Sequence, residues 1–239
     1  MVRDEFNDPT SLLDPAGLEP IRQIWICSAS EKWSAIGLAW HFGWANNYWP
    51  FPFLGYQLFE SPQHTVCKNK TDGLSEVIIK MADRKLILDQ GSNRKIGFLE
   101  FACHGWEFRG LIPEHDLYTP TETLQHLVQQ FNNQKRPILT NLGEFMAELR
   151  QALRNARRIQ FLLGVLRGEL ADDAEVRIMS CGQATKDRHD FLLRLSKLLG
   201  ARVCANDGDV IGIGLGKWWI TDNKGTTIGL DPRSRINPR

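Results

Sequence analysis

The chain has 239 residues, of which 42% are hydrophobic and 24% charged, and its formal net charge is +1. This composition is typical of a globular protein with a substantial core, and a charge so close to zero gives no reason to expect binding to nucleic acid. No apolar run approaches the roughly 20 residues of a membrane span, and the polar N-terminus does not have the pattern of a signal peptide.

The cysteines and histidines bound the chemistry further. The five cysteines are odd in number and scattered, so they indicate neither a disulfide framework nor a zinc site. We therefore expect a reducing compartment, the cytoplasm. The alternative is secretion by a route that needs no cleaved signal peptide. The six histidines have no metal-ligand spacing, and we expect neither a metal nor another cofactor.

The N-terminal quarter combines one regular element with an unusual aromatic segment. Residues 1–20 are expected to be a flexible lead-in, and Ile21–Cys27 is predicted to be the first strand. Residues 33–56 hold four of the eight tryptophans and are expected to form a short helix and then an irregular loop. Clustered tryptophans favour burial as a satellite core. The alternative is a substrate or partner surface, to which Trp44 and Trp49 would contribute.

Short elements are predicted through the next part of the chain. Tyr56–Phe59 and His64–Cys67 are each expected to add a strand. A helix follows, because its apolar residues recur at one-face spacing: Leu74, Val77, Ile78 and Met81. Ile96–Ala102 is an apolar run with the length of a buried strand, and Arg109–Ile112 is predicted to be the return strand of a small hairpin.

The middle of the chain is predicted to be helical. Thr119 is expected to cap a helix that starts at Pro120. Its predicted apolar face is Leu124, Leu127, Val128 and Phe131. Residues 141–170 are expected to form one long helix, or two that are broken near Gly164. Its predicted inward side is Leu142, Phe145, Met146, Leu149, Leu153, Ala156 and Ile159, and its predicted exposed stripe is Arg150, Arg154, Arg157 and Arg158.

The C-terminal part returns to strands. Asp172 and Asp173 are expected to turn the chain into a strand at Val176–Ser180, and Thr185 is expected to cap a helix over residues 186–199 that Gly200 ends. Three further stretches are predicted to be extended or turned: Arg202–Ala205, Lys217–Thr221 and a hairpin turn at Asp222–Gly225.

Strands that alternate with helical patterns indicate an α/β fold. We predict a three-layer sandwich with a mostly parallel central sheet and an aromatic-rich insert. Residues 21–232 would form a single domain, and residues 233–239 a tail.

Two apolar runs end in dipeptides that suggest chemistry. One ends in His104-Gly105 and the other in Cys181-Gly182. If the two strands are neighbours, the histidine and the cysteine would meet at the carboxyl ends of the strands, where ligands collect in parallel sheets. A histidine can accept the proton of a cysteine nucleophile, and the N-terminus of the helix that follows would favour the thiolate. The glycines would let backbone N–H groups approach a carbonyl closely. The alternative interpretation is ordinary strand ends with buried Cys and His.

An apolar strand ending in His-Gly, a helical stretch and an apolar strand ending in Cys resemble the caspase–haemoglobinase clan of cysteine peptidases. Caspases, legumains, gingipains, clostripain and the self-processing domains of large bacterial toxins belong to this clan. The segment from 66 to 222 is also similar to a bacterial domain of unknown function found near the ends of large calcium-binding or adhesin-like proteins. The similarity rests on motifs of that domain, namely Ser-His-Gly, Gly-Cys-Asn, Gly-Ala-Asp-Val and Gly-Gly-Asp-Trp. Here Cys103 replaces the serine and Gly182-Gln183 the asparagine.

The resemblance implies a caspase-like fold and a cysteine endopeptidase that acts through an acyl-enzyme. It implies Cys181 as the nucleophile, His104 as the general acid and base, and the N–H groups of Gly105 and Cys181 as the oxyanion hole. We also expect Trp106 and Gly182 to contact a protein or peptide substrate. The setting would be a bacterial toxin, effector or defence protease with a regulatory or inhibitory protein partner. The alternative is an inactive relative that binds proteins through its Trp-rich surface.

Overall fold

A computed structural model describes residues 21–27, 64–66, 73–89, 95–103, 105–208, 216–222 and 225–229. Within these residues the strands are β1 (Ile21–Cys27), β2 (His64–Val66), β3 (Ile96–Cys103), β4 (Leu170–Met179), β5 (Arg202–Asn206), β6 (Trp218–Asp222) and β7 (Gly225–Gly229). The helices are α1 (Leu74–Asp89), α2 (Gly105–Leu111), α3 (Pro120–Asn133), α4 (Leu142–Glu169) and α5 (His189–Leu199). Two 3-10 turns lie at Glu114–Leu117 and Lys186–Arg188.

All these strands belong to one sheet, in the order β2-β1-β3-β4-β5-β6-β7. The first five strands of this order pair in parallel, whereas β6 and β7 are antiparallel. The chain is therefore an α/β protein with a mostly parallel sheet, as predicted.

The long helices lie together on one face of the sheet. The connections β2 to β3, β3 to β4 and β4 to β5 all step across the sheet in the same direction, and right-handed crossovers then put α1, α4 and α5 on the same side. Their apolar residues form one buried core with alternate residues of the central strands, including Leu99, Phe101 and Val176. The predicted face of α1 is confirmed, because Leu74, Val77, Ile78 and Met81 are all buried.

The opposite face of the central strands is closed to solvent as well. It carries Glu100 on β3 and Glu175 and Arg177 on β4, all buried. The Arg177 guanidinium donates to Glu175 at 2.6 Å and to Glu100 at 3.1 Å. Burial disfavours the charge of Arg177, but the two carboxylates outweigh that effect and raise its pKa. At these three positions the central strands are therefore buried on this face as well, as is usual for parallel strands.

Helices α3 and α4 pack against each other in a smaller cluster of Leu127, Phe131 and Phe145. The predicted start of α3 is confirmed: Thr119 and Glu122 form a capping box, with Pro120 as the first helical residue. The prediction was wrong for Leu124, which is exposed, and the turn of α3 that it belongs to buries Thr123 instead.

The region 141–170 is one helix, α4, which continues through Gly164. Its arginine stripe is exposed, as predicted. The predicted inward side was wrong at Leu142 and Met146, both exposed, whereas Phe145 and Leu149 pack against residues of α3. The predicted turn at Asp172 and Asp173 was also wrong. Both residues lie within β4, where its register with β3 is irregular.

Two other local predictions are corrected. Residues 109–112 do not form a hairpin strand. They belong to α2 and its end, since Phe108, Leu111 and Ile112 are buried at helical spacing. The helix predicted from residue 186 begins as a 3-10 turn and becomes α-helical at His189. Thr185 precedes it without a side-chain capping bond.

The remaining strand predictions hold where the structure describes them: β1, β2, β5 and the β6–β7 hairpin lie where the sequence indicates. Gly200 ends α5 in the left-handed region, with φ of 62°. The predictions for residues 1–20, 33–56, Tyr56–Phe59 and 233–239 fall outside the described residues. No described helix is long and apolar enough to cross a membrane.

Candidate functional site

The candidate site lies where β3 and β4 end side by side. The two strands pair in parallel, with Ala102 opposite Met179. One residue further on, the Cys103 sulfur lies 3.2 Å from the Ser180 hydroxyl oxygen, and both side chains are buried. The neighbouring strand β1 also ends here, with Cys27 opposite Cys103.

Cys181 follows Ser180 directly and is partly exposed, whereas Cys103 and Cys204 are buried. None of these three cysteines is in a disulfide. His104 lies outside the described residues, as do Trp44 and Trp49.

Gly105 brings the end of β3 against the main chain of Cys181. It is the first residue of α2, and a Cβ added to it would lie 2.4 Å from the Cys181 carbonyl oxygen and 2.9 Å from the Gln183 amide nitrogen. Any side chain at position 105 would force these main chains apart. The close approach therefore requires glycine, as the sequence indicates.

The Gln183 side chain bridges the same two residues. Its amide Nε2 donates to the carbonyl oxygens of Cys181, at 2.9 Å, and of Gly105, at 3.1 Å. Gln183 is wholly buried, and its Oε1 has no hydrogen-bond partner among the described residues.

The loop after Cys181 is fixed to the end of β5 by its backbone. Gly182 N–H donates to the Gly208 carbonyl, and the N–H groups of Gln183 and Ala184 both donate to the Asn206 carbonyl, each at 2.9 Å. Gly182 makes this turn with φ of +63°, which favours glycine. The N–H of Gly182 is thus already used within the loop.

One residue of α2 contacts the loop directly. Arg109 donates through Nη2 to the Gly182 carbonyl at 3.2 Å, so a guanidinium lies next to the Gly182–Gln183 peptide. Trp106 is 58% exposed, which is unusual for so large an apolar side chain and compatible with the predicted substrate contact.

A second arginine lies near Arg109 in the interior. Arg188 is buried, with its guanidinium 4.3 Å above the Phe191 ring and its Nη1 3.6 Å from Glu114. Burial, and after it the positive charge of Arg109, lower the pKa of Arg188. The negative charges of Glu114 and Asp187 act in the opposite direction but do not offset this effect.

His189 is held away from the role of a base for Cys181. Its Nε2 lies 3.1 Å from the Ala184 carbonyl, and its ring contacts Trp219 with centroids 4.7 Å apart. Across the described ranges, no three side chains of the His, Cys, Asp and Glu types lie close enough together to hold a metal ion.

The structure thus brings Gly105, Cys181 and Gly182 together with Trp106 beside them. Sequence reasoning missed Gln183 and Arg109 as parts of the site. The only signal for Gln183 was its position two residues after the cysteine, and the signal for Arg109 was hidden by the incorrect strand prediction. Comparisons of the chain with protein-family models, with curated proteins and with solved structures found no match.

Proposed function

We propose that this protein is a cysteine endopeptidase with a caspase-like, three-layer α/β fold. Cys181 is the nucleophile and His104 the general acid and base. The setting is that of a bacterial toxin, effector or defence protease that acts on protein or peptide substrates.

The observation that supports this most directly is the register of β3 and β4. Phe101 pairs with Ile178 and Ala102 with Met179, and the Cys103–Ser180 contact continues the same spacing. His104 and Cys181 each follow this pair by one residue in the sequence, so we infer that they meet where the two parallel strands end.

Exposure and charge at Cys181 favour a nucleophile. A thiol that attacks a polypeptide must be reachable, and Cys181 is the partly exposed member of the three described cysteines. The Arg109 guanidinium on the adjacent Gly182 carbonyl favours negative charge nearby, which assists the thiolate.

In the proposed reaction the Cys181 thiolate attacks the peptide carbonyl carbon, and a C–S bond forms. The C–N bond breaks as His104 protonates the leaving amine. Water activated by the neutral histidine then hydrolyses the thioester and releases the acid. The N–H groups of Gly105 and Cys181 hold the oxyanion. Trp106 supplies an exposed apolar surface for the substrate.

Alkylation of the intact chain by iodoacetamide at pH 6 to 7 tests the dyad. We expect Cys181 to be labelled faster than the other four cysteines, as measured by peptide mass spectrometry. The His104→Ala variant should lose this advantage, whereas His126→Ala, which changes an exposed histidine of α3, should keep it. Equal labelling of Cys181 in wild type and His104→Ala would contradict the proposal.

A digest of a proteome-derived peptide library then tests the reaction itself. Wild type should produce new termini that Cys181→Ala does not, and Cys204→Ala serves as the matched cysteine control. The second candidate is an inactive fold relative that binds proteins, and the exposed Trp106 is the observation that favours it. Absence of new termini, together with a loss of partner binding in Trp106→Ala, would support that candidate instead.

A further inference from the structure

We propose that Gln183 is the positioning residue of this site. Its side-chain amide holds the main chains of Gly105 and Cys181 together and so sets the separation of His104 from the cysteine sulfur. This inference rests on the function proposed above.

The bridge joins the residues that matter most for that separation. Gly105 directly follows His104, and Gln183 Nε2 donates to its carbonyl at 3.1 Å and to that of Cys181 at 2.9 Å. The two carbonyl oxygens would repel each other without a donor between them. A primary amide supplies two N–H donors from one nitrogen, so one uncharged group satisfies both oxygens.

The orientation of the amide is fixed by the same contacts. If the amide were flipped, its own oxygen would face two acceptors. The observed orientation leaves Oε1 buried without a donor among the described residues, which is rare for a buried polar atom. Gln183 is therefore held in this orientation by the two carbonyls and not by full satisfaction of its own side chain.

The base of the Gln183 side chain is rigid. The N–H groups of Gln183 and Ala184 both donate to the Asn206 carbonyl at the end of β5. The side chain thus extends from a loop that is anchored to β5 and reaches across β4 to the end of β3. It couples three strand ends, and its removal would loosen Gly105 from Cys181 without deleting either residue of the dyad.

Two variants of Gln183 distinguish the effect of its N–H donors from the effect of its side-chain shape. Gln183→Met has a similar length and no donor. Gln183→Glu has nearly the same shape, but burial against two acceptors keeps its carboxyl protonated, so it donates at most one hydrogen bond. The matched control is Gln160→Met, because the Gln160 amide also bridges two backbone carbonyls, those of Asp116 at 3.2 Å and Tyr118 at 3.0 Å.

The measurement is the rate of iodoacetamide alkylation at Cys181 from pH 5 to 9 in the full chain, with thermal unfolding as the test of folding. In wild type and in Gln160→Met we expect a rate that stays high below pH 8. In both Gln183 variants we expect a fall of up to about 10²-fold at pH 6, the scale that a misplacement of about 1 Å can produce. Their profiles should then follow an ordinary thiol with a pKa of about 8.5.

The outcomes separate the inference from the function on which it rests. If wild-type Cys181 titrates as an ordinary thiol, the peptidase proposal fails. If wild type is reactive and folded Gln183→Met keeps the same profile, only the positioning role is overturned. If Gln183→Met does not unfold cooperatively, Gln183→Glu decides, and a wild-type profile in that variant overturns the two-donor bridge.

Discussion

The Cys103 sulfur and the Ser180 hydroxyl oxygen lie 3.2 Å apart in the interior and join the carboxyl ends of β3 and β4. Each of these residues is followed directly by one of the two proposed catalytic residues. The separation of the dyad therefore depends on the packing of two small buried side chains. This relationship leads to the first prediction.

Enlarging this contact should separate the strands. Cys103→Leu adds volume where Cys103 is wholly buried, and we expect it to lower the free energy of unfolding by about 1–3 kcal/mol. It should also slow alkylation of Cys181. Cys103→Ala removes the sulfur without adding volume and should leave the alkylation rate near that of wild type. Urea unfolding and the alkylation assay measure both effects, and equal rates in Cys103→Leu and wild type would contradict the argument.

Much of the fold could be predicted from the sequence because its elements carry strong periodic signals. The α1 face of Leu74, Val77 and Met81 and the Thr119 cap before Pro120 are local patterns, and the structure confirms both. Failures arose where neighbours decide burial. Met146 has the right spacing for an inward position on α4, yet its side chain is exposed.

The site was less predictable than the fold. Its strand ends were visible as His104-Gly105 and Cys181-Gly182, because an apolar run that stops at a polar residue and a glycine marks a strand end. The Gln183 bridge was not visible, since it depends on a contact between the Gln183 side chain and the Gly105 carbonyl, which are 78 residues apart in sequence. Such contacts are set by the register of β3 with β4 and by the turn at Gly182.

Gly105→Ala should be among the most damaging small substitutions. Its Cβ would lie 2.4 Å from the Cys181 carbonyl oxygen, and backbone cannot yield cheaply. We expect a loss of about 1–3 kcal/mol in stability and slower alkylation of Cys181. Gly110→Ala is the matched control in the same helix, with no atom within 4 Å of the added Cβ. It should stabilise the protein by up to about 1 kcal/mol. Urea titration compares the two, and similar effects at both positions would refute the close-approach argument.

Arg177 and its two buried carboxylates on β3 and β4 predict that removing the arginine alone costs more stability than neutralising all three charges. Arg177→Met would leave Glu100 and Glu175 buried without their cation, and we expect a loss of about 3–5 kcal/mol. Adding Glu100→Gln and Glu175→Gln to that variant should recover a large part of the loss, because the uncompensated charges are removed. Chemical denaturation of the single and triple variants measures this. A single variant as stable as wild type would contradict the prediction.

The ion pair between α3 and α5 predicts how stability depends on pH. Arg194 donates to both Glu122 oxygens, at 2.7 and 2.8 Å, and the Thr119 N–H donates at 2.8 Å. The Arg194 bonds, followed by the Thr119 backbone bond, lower the pKa of Glu122 from 4.5 to about 2. A carboxyl whose pKa is lower in the folded chain than in the unfolded chain stabilises the folded state at pH values above the unfolded-state pKa. For Glu122 that stabilisation is lost as the pH falls from about 4.5 to about 2.

Glu122→Gln should therefore be less stable than wild type at pH 7, and the difference should shrink through that acidic range. We expect about 1 kcal/mol at pH 7, because the side chain is 36% exposed and water screens the pair. Glu76→Gln alters an exposed glutamate in the first turn of α1 and is the control. Urea titrations at pH 2.5, 4 and 7 measure the difference for each variant. A deficit in Glu122→Gln that stays constant across these values would show that packing, and not the charge of Glu122, supplies the stability.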